Sequence, residues 1–322
     1  MSSPRGIQHR SLSETPVAIV DFETTGLMAG PDRVVEVAIV RVDPGQPPRL
    51  VFDTLVNPGR PMDATEIHGI TEDHVADAPR FREIAGDVID ALNGCVVAAY
   101  NVYFDIKFLN AELRLADVSH VPPHFCLMYL RPMLGVGKRC RLAEACREHG
   151  IAHEDRHIAA IDAMSSGALL NRCLDEASAR GLWTFRDLAR LKSYKFVESW
   201  DADPYDTPDS YRLPVARRYM SRYHGAAEPS ASMPTPNPLA AYWDVIKTVV
   251  ADLAVTSDEL DYAVAERTRL GLTVEQIRSV HARAFASVIG AFIEDRQIDD
   301  REELKLRKLY ACLSRLGWAP GE

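Results

Sequence analysis

An α/β domain built on a mixed sheet with helices packed on it, followed by a small all-α domain, is the architecture that this 322-residue sequence predicts. Three observations predict it. Short apolar runs alternate with segments of helical spacing from Thr15 to about Cys173. A stretch rich in proline, serine and alanine follows at residues 226–238, and residues 239–322 contain an internal repeat of helix, turn and helix. At roughly 100–200 residues per domain, the length accommodates two.

Taken in order, residues 16–21 and 34–42 (Val34-Val-Glu-Val-Ala-Ile-Val-Arg-Val42) read as strands joined through Thr25-Gly26 and Gly30-Pro31. Leu50–Val56 is a third strand, which makes a meander. Phe81–Leu92 has helical spacing, Cys95–Tyr100 is a short buried strand, and Phe104–Leu115 is an amphipathic helix with Phe104, Phe108 and Leu109 on one stripe. Arg141–His149 and Ile158–Leu174 read as two more helices. Residues 1–14 are expected to be a disordered N-terminus. Residues 176–225, where Trp183, Phe185, Trp200 and five tyrosines lie among arginines and lysines, show no clear periodicity past Lys195 and form an extension of unassigned structure. The composition of residues 226–238 cannot bury enough apolar surface to order itself and predicts a flexible linker.

Within residues 239–322, Val245–Glu259 aligns without a gap on Val288–Glu302 at an offset of 43 residues. Thr256 with Glu259, Asp299 with Glu302 and Thr273 with Gln276 have the spacing of capping boxes, in which each side chain satisfies an orphan amide of the other residue. The helices that follow close at Leu270-Gly271 and Leu316-Gly317.

Hydrophobic residues make up 47% and charged residues 26%, enough apolar material for a core in each domain. The formal charge of −9 excludes a polycation that coats nucleic acid by bulk electrostatics, so a polyanion must be gripped locally. The six cysteines form no Cys-x-x-Cys and no zinc-ligand spacing, and read as buried reduced thiols. Met1 to Pro16 lacks the apolar core of a signal peptide, and no later run reaches the roughly 18 apolar residues of a membrane span. A cytoplasmic protein with no membrane partner is expected.

Three short segments carry the chemistry: Val17-Ala-Ile-Val-Asp21-Phe-Glu23-Thr-Thr-Gly26-Leu27, Asn101-Val-Tyr-Phe104-Asp105 and His157-Ile-Ala-Ala-Ile-Asp162. Asp21 and Glu23 are two apart on a strand and therefore face one cleft. Convergent carboxylates repel one another unless a divalent cation sits between them, and oxygen-only clustering points to magnesium or manganese. Thr24-Thr25-Gly26-Leu27 is a tight turn that could hold a sugar or phosphate. His157 and Asp162 are five apart, off a common helix face, which puts His157 on the preceding loop. With an ordinary pKa near 6.5 it is suited to taking a proton from a cation-bound water. Singly, each segment has a bland reading: a solvated strand rim, an aspartate at a helix N-terminus, an exposed loop histidine.

All three segments together, in this order, resemble the DEDDh family of 3′-to-5′ exonucleases, over about residues 15–175. That resemblance implies a ribonuclease-H-like fold. His68-Gly-Ile-Thr71, Cys126-Leu-Met-Tyr-Leu and Leu142-Ala-Glu-Ala-Cys-Arg-Glu-His-Gly-Ile151 look like the proofreading subunit of bacterial replicative polymerases. Tyr100 departs from the pattern, since relatives usually have histidine there, at a position that binds no metal. The resemblance implies that Asp21, Glu23, Asp105 and Asp162 hold two Mg²⁺ or Mn²⁺ ions about 4 Å apart, one activating water and one stabilising the departing 3′ oxygen. His157 would be the general base. Thr24, Thr25, Leu27 and Phe104 would contact the terminal nucleotide, with His68 and Asn101 as further substrate contacts. Arg131, Lys138, Arg139 and Arg141 crowd a loop from which they could hold upstream phosphates.

Residues 239–322 resemble tellurite-resistance-type helical domains, whose repeats pair an Asp before the turn with a Glu after it, here Asp252 with Glu259 and Asp295 with Glu302. Capping accounts for both glutamates without metal. The resulting expectation is a metal-dependent 3′-to-5′ exonuclease acting on nucleic acid with a free 3′ end, DNA favoured over RNA, joined to a helical domain that docks a protein partner. An RNA-trimming exoribonuclease is the enzyme alternative, and a non-catalytic scaffold that binds nucleic-acid ends is the alternative of a different class.

Overall fold

The computed structural model describes residues 6–62, 64–154, 156–215, 219–222, 237–250, 256–293 and 300–318. Its centre is a five-stranded sheet: β1 (Val17–Thr24), β2 (Val34–Val42), β3 (Arg49–Leu55), β4 (Val96–Ala99) and β5 (His124–Cys126), in the order β3-β2-β1-β4-β5. β1, β2 and β3 form the expected antiparallel meander, with Val17 opposite Val42 and Ile39 opposite Phe52. β4 runs parallel to β1, and β5 parallel to β4. β1, β2 and β4 are buried almost residue by residue, the signature of a sheet covered on both faces.

Between β3 and β4 come α1 (Thr65–His68), α2 (Glu72–Val75) and α3 (Phe81–Leu92), and between β4 and β5 comes α4 (Val102–Leu115). After β5 follow α5 (Leu127–Met133), α6 (Leu142–Glu148), α7 (Ala159–Ala179) and α8 (Phe185–Leu191). α7 crosses β1, β2 and β3, while α3 and α4 pack beside each other on the sheet. Gly167 lets α7 come close: a Cβ there would stand 2.9 Å from Pro48.

Two stretches without clear sequence periodicity are built into this core. Ile7 and Leu12 are buried, the Ile7 amide donates to the Trp200 carbonyl at 2.8 Å and that of Leu12 to Trp183 at 2.8 Å. Disorder over residues 1–14 is therefore corrected from Gly6 onward; residues 1–5 lie outside the described residues. The 176–225 extension supplies Phe185, Phe196, Trp200 and Tyr205 to the same hydrophobic core. Trp200 Nε1 donates to the His124 carbonyl at 2.9 Å, flanking β5, and Met220 exchanges hydrogen bonds with Thr54 and Leu55 along the edge of β3. Both sheet edges are thereby covered.

The C-terminal region forms α9 (Pro238–Val250), α10 (Ser257–Arg269), α11 (Val274–Ile293) and α12 (Asp300–Arg315), and residues 251–255 and 294–299, where the repeat predicts its two turns, lie outside the described residues. The Thr256/Glu259 and Thr273/Gln276 boxes are formed, and Gly271 and Gly317 take positive φ at the helix ends. Asp299 and most of the 226–238 stretch lie outside the described residues. This region does not stand apart from the sheet domain. Ala64 and Ile67 of the α1 region share a buried cluster with Tyr242, Trp243, Ile246 and Val249 of α9, and Arg139 pairs with Glu259 at 2.8 Å. All six cysteines are buried free thiols, and among the described residues no helix is long and apolar enough to cross a membrane.

Candidate active site

The site forms where β1 outruns its partner. The last residue of β1 paired with β4 is Ile19, so Asp21 and Glu23 extend past the shorter strand toward the start of α4. The first turn of α4 carries Asp105, whose Oδ1 accepts from the Phe22 amide at 3.2 Å. Asp162 arrives in the first turn of α7. His157 lies on the loop before α7, buried, with φ of 51° in the left-handed region that histidine tolerates better than most residues. Ligand atoms of Glu23, His157 and Asp162 all fall within 4.8 Å of one another. The structure thus brings together all five residues singled out for catalysis.

Burial and crowding mark this cluster electrically. Burial, then the charges of Asp162, Asp105 and Glu23, push Asp21 well above the usual carboxylate range. Burial raises Glu23 to about 8 against the opposing pull of Lys247, with Glu36 adding to the rise. Asp105 rises to about 7 through burial, opposed by Lys247 and the Phe22 amide. Protons or cations must therefore accompany the carboxylates at neutral pH. A buried donor set of carboxylate oxygens with one imidazole fits a hard divalent cation, and Asp21, Glu23, Asp105 and Asp162 are the residues that could hold it.

A second layer sets the His157 loop. Glu36 on β2 is fully buried, and Arg222 grips it with two hydrogen bonds of 2.7 and 2.6 Å. The same guanidinium donates to the His157 carbonyl at 3.0 Å and the His68 carbonyl at 2.9 Å, while the Ala159 amide donates to Glu36 at 3.1 Å. His68 is buried and accepts from the Ile70 amide at 3.0 Å; burial, then Arg222, His157 and Lys247, lower it to about 3, so it is neutral.

The remaining predicted contacts divide. Leu27 and Phe104 line a groove of about 1960 Å³ that leads away from the cluster. The Thr24 and Thr25 hydroxyls are spent inside the turn: Thr24 donates to the Gly26 carbonyl at 2.6 Å, and Thr25 donates to Asp32 at 3.2 Å while accepting from the Arg33 amide. Asn101 donates to the Lys247 carbonyl at 3.3 Å. Arg131 is fully buried on Lys138, Cys140 and Glu148, and Arg141 is buried among Glu144 and Glu266, so both brace the fold. Their expected role on phosphates is corrected accordingly. Lys138 and Arg139 do line the groove, Arg139 held by Glu259 and the Tyr129 hydroxyl.

Sequence reasoning missed Glu36, Arg222, Asp244 and Lys247. A lone glutamate inside Val34-Val-Glu-Val-Ala-Ile-Val was a legible signal, because an isolated charge in a buried strand requires a partner. Asp244 and Lys247 are the only charged side chains of α9 and sit three apart. Of the pairs that suggested a tellurite-resistance-type domain, Asp252 and Asp295 lie outside the described residues, and Glu259 closes its capping box.

The chain is similar to known exonucleases and DNA polymerase III epsilon subunits. The RNase T exonuclease family matches residues 18–170. A DNA polymerase III subunit epsilon of Treponema pallidum is 37% identical over 150 residues, 44% of this chain and 69% of that protein. A DNA polymerase III subunit epsilon-like protein of Rhodobacter capsulatus is 36% identical over 189 residues, 54% of this chain, and the chain spans 27% of its length. E. coli exonuclease I solved in complex with a dT13 oligonucleotide superposes with a TM-score of 0.43 at 18% identity, over 52% of this chain and 43% of that one. With more than two thirds of the Treponema pallidum subunit matched at that identity, and the family match at residues 18–170 spanning Asp21, Glu23, Asp105, His157 and Asp162, the chain belongs to the RNase T exonuclease family.

Proposed function

We propose that the protein is a metal-dependent 3′-to-5′ exonuclease that shortens nucleic acid from its 3′ end, with single-stranded DNA as the favoured substrate. One observation carries the reading: Asp21, Glu23, Asp105 and Asp162 converge with His157, next to a groove that Leu27, Phe104 and Lys247 line together with further basic and aromatic residues. Mg²⁺ or Mn²⁺ held by these carboxylates would supply an activated water and charge stabilisation for the departing 3′ oxygen. The chain's own residues do the rest. His157, fixed by the Arg222 hydrogen bond to its carbonyl, takes the proton of the attacking water. Phe104 and Leu27 position the terminal nucleotide. Along the groove, Phe104 and Tyr103 are the aromatic residues beside the cluster, and Lys107, Lys138, Lys192 and Lys195 offer charge for phosphates, the combination suited to a single strand. Lysines and arginines outnumber the acidic residues Glu198, Asp258, Glu259 and Asp261 on these walls, although the chain as a whole carries a formal charge of −9.

The test is end-labelled single-stranded DNA, duplex with a mismatched 3′ end, and RNA, each incubated with Mg²⁺ or Mn²⁺ and resolved at single-nucleotide steps. A ladder shortening from the 3′ end, fastest on single-stranded DNA and lost in Asp105→Asn, is expected. Shortening from the 5′ end, or an unaltered rate in Asp105→Asn, would refute the assignment. A faster ladder on RNA would replace DNA as the substrate while keeping the chemistry.

A further inference from the structure

The loop between α6 and α7 carries two histidines four residues apart, and both turn inward. Glu154 and Arg156 between them pair with each other at 2.8 Å toward solvent, while the side chains of His153 and His157 are each only 5% exposed. His157 belongs to the cluster, and its Nε2 stands 3.7 Å from Oδ2 of Asp244 on α9. His153 meets the same cluster through Asp162. Its Nδ1 lies 3.0 Å from the Ser165 Oγ, and its Nε2 lies 3.8 Å from the Asp162 Oδ1, within ion-pair distance. Asp162 and Ser165 are three apart on α7 and share a face of that helix, so one imidazole spans both. Ser165 is buried, and so is the Asp162 Oδ1. Burying an imidazole costs free energy unless its nitrogens find partners. Those that His153 finds are a hydroxyl and the carboxylate that the exonuclease reading gives to the metal.

We propose that His153 is a positioning residue for Asp162, setting the orientation in which that carboxylate receives a divalent cation. The Ser165 hydroxyl donates to Nδ1, which puts the ring proton on Nε2, the nitrogen that faces Asp162. At 3.8 Å the attraction is electrostatic rather than that of a closed hydrogen bond, and it favours the rotamer in which Oδ1 faces the ring. The second carboxylate oxygen is left for the ion. A ligand held in place before the ion arrives loses less freedom on binding it, and supports of this kind set metal affinity as strongly as some ligands do. The inference rests on the exonuclease reading for the purpose of Asp162, and on the placement of one ring for the means. His153 touches neither water nor substrate in this account; it acts only through Asp162.

The experiment titrates Mn²⁺ alone into the full chain by calorimetry, with thermal unfolding in EDTA as the check that each variant folds. His153→Phe keeps a ring and loses both nitrogens, whereas the amide of His153→Asn stands in for Nδ1 and that of His153→Gln for Nε2. His153→Phe and His153→Asn are expected to bind Mn²⁺ about 10–100-fold more weakly than wild type, and His153→Gln within about threefold of it. Ser165→Ala, which removes the hydroxyl that sets the tautomer, should lose about three- to tenfold. Cleavage at limiting Mn²⁺ should fall in the same proportion and recover at saturating Mn²⁺. Affinity within about twofold of wild type in His153→Phe overturns the inference; if that variant does not fold, the same result in Ser165→Ala overturns it. Equal losses in His153→Gln and His153→Phe also overturn it, because Nε2 would then not be the atom that matters. So does a rate that stays low at saturating Mn²⁺, since His153 would then act on something other than the ligand. Weaker Mn²⁺ binding in His153→Phe, beside a wild type that binds Mn²⁺ and cleaves nothing, sustains the positioning of Asp162 and sinks the exonuclease reading.

Discussion

Replacing Arg222 by methionine removes the cation that faces Glu36, a carboxylate with 0% exposure on β2. Stripping one partner from a buried pair costs about 3–5 kcal/mol, because the remaining charge is left without compensation. The Ala159 amide still donates to Glu36 at 3.1 Å, which places the expected loss near the lower end of that range. Glu36→Gln keeps part of the network and should cost about 1–3 kcal/mol. The double variant Glu36→Leu with Arg222→Met exchanges the pair for apolar side chains and should return to within about 2 kcal/mol of wild type. Urea unfolding followed by circular dichroism gives each value, and the single variant Glu36→Leu completes a double-mutant cycle with wild type, Arg222→Met and the double variant. Activity should not recover with stability: Arg222 also holds the His157 carbonyl, so the double variant is expected to fold well and cleave slowly. A cost below about 1 kcal/mol for Arg222→Met would refute the buried-pair argument. A stable double variant with the full cleavage rate would refute the anchoring of the His157 loop.

Three further outcomes follow from particular contacts. His157→Ala should slow cleavage roughly 100-fold or more as a general base is lost; single-turnover rates near wild type would remove His157 from that role. Gly6 has φ of 81°, and a Cβ there would stand 2.4 Å from the Trp200 carbonyl oxygen, so Gly6→Ala should cost about 1–3 kcal/mol; an unchanged melting temperature would show that the N-terminal segment is not docked. Burial, with Arg267 adding, lowers His281 from 6.5 to about 4 beside the Tyr242 hydroxyl. The stability tied to its neutral form is complete above pH 6.5 and is lost as pH falls toward 4, on the order of 3 kcal/mol in all. His281→Gln should flatten that part of the acid limb of stability, and an identical slope in wild type and variant would contradict it.

The carboxylate and histidine cluster was legible because each of its residues sits at a junction that sequence marks well: the end of an apolar strand, the first turn of a helix, the loop before another. Asp21, Glu23, Asp105, Asp162 and His157 needed no long-range knowledge beyond the expectation that they meet. The meander and α3 were equally readable, since period-2 and period-3.6 patterns are local. β5 was missed because three residues, His124 to Cys126, are too few to show a period. Ile7 and Leu12 looked like a polar tail, since their partners Trp200 and Trp183 lie more than 170 residues onward. Around Arg131 and Arg141 the sequence shows only a basic loop, which could hold phosphates or simply be solvated, and no local pattern tells that Arg131 turns inward to Lys138, Cys140 and Glu148 and Arg141 to Glu144 and Glu266. The cover that α9 places over the site depends on packing between distant helices, which no local pattern encodes.

The pairing of Glu36 with Arg222 spans 186 residues of chain. During synthesis at roughly 5–20 residues per second, about 10–40 s separate the appearance of the carboxylate from that of its cation. Over that interval the meander can form only with Glu36 unpaired at its centre, and β3 has no Met220 along its edge. Ile7 likewise waits for Trp200. The nascent sheet therefore stays open at both margins and carries an uncompensated charge until the 219–222 segment clears the ribosome. On this account the fold is completed by its last strap rather than by its first hairpin, and interruption of translation before Arg222 leaves a chain suited to chaperone capture instead of a partial enzyme.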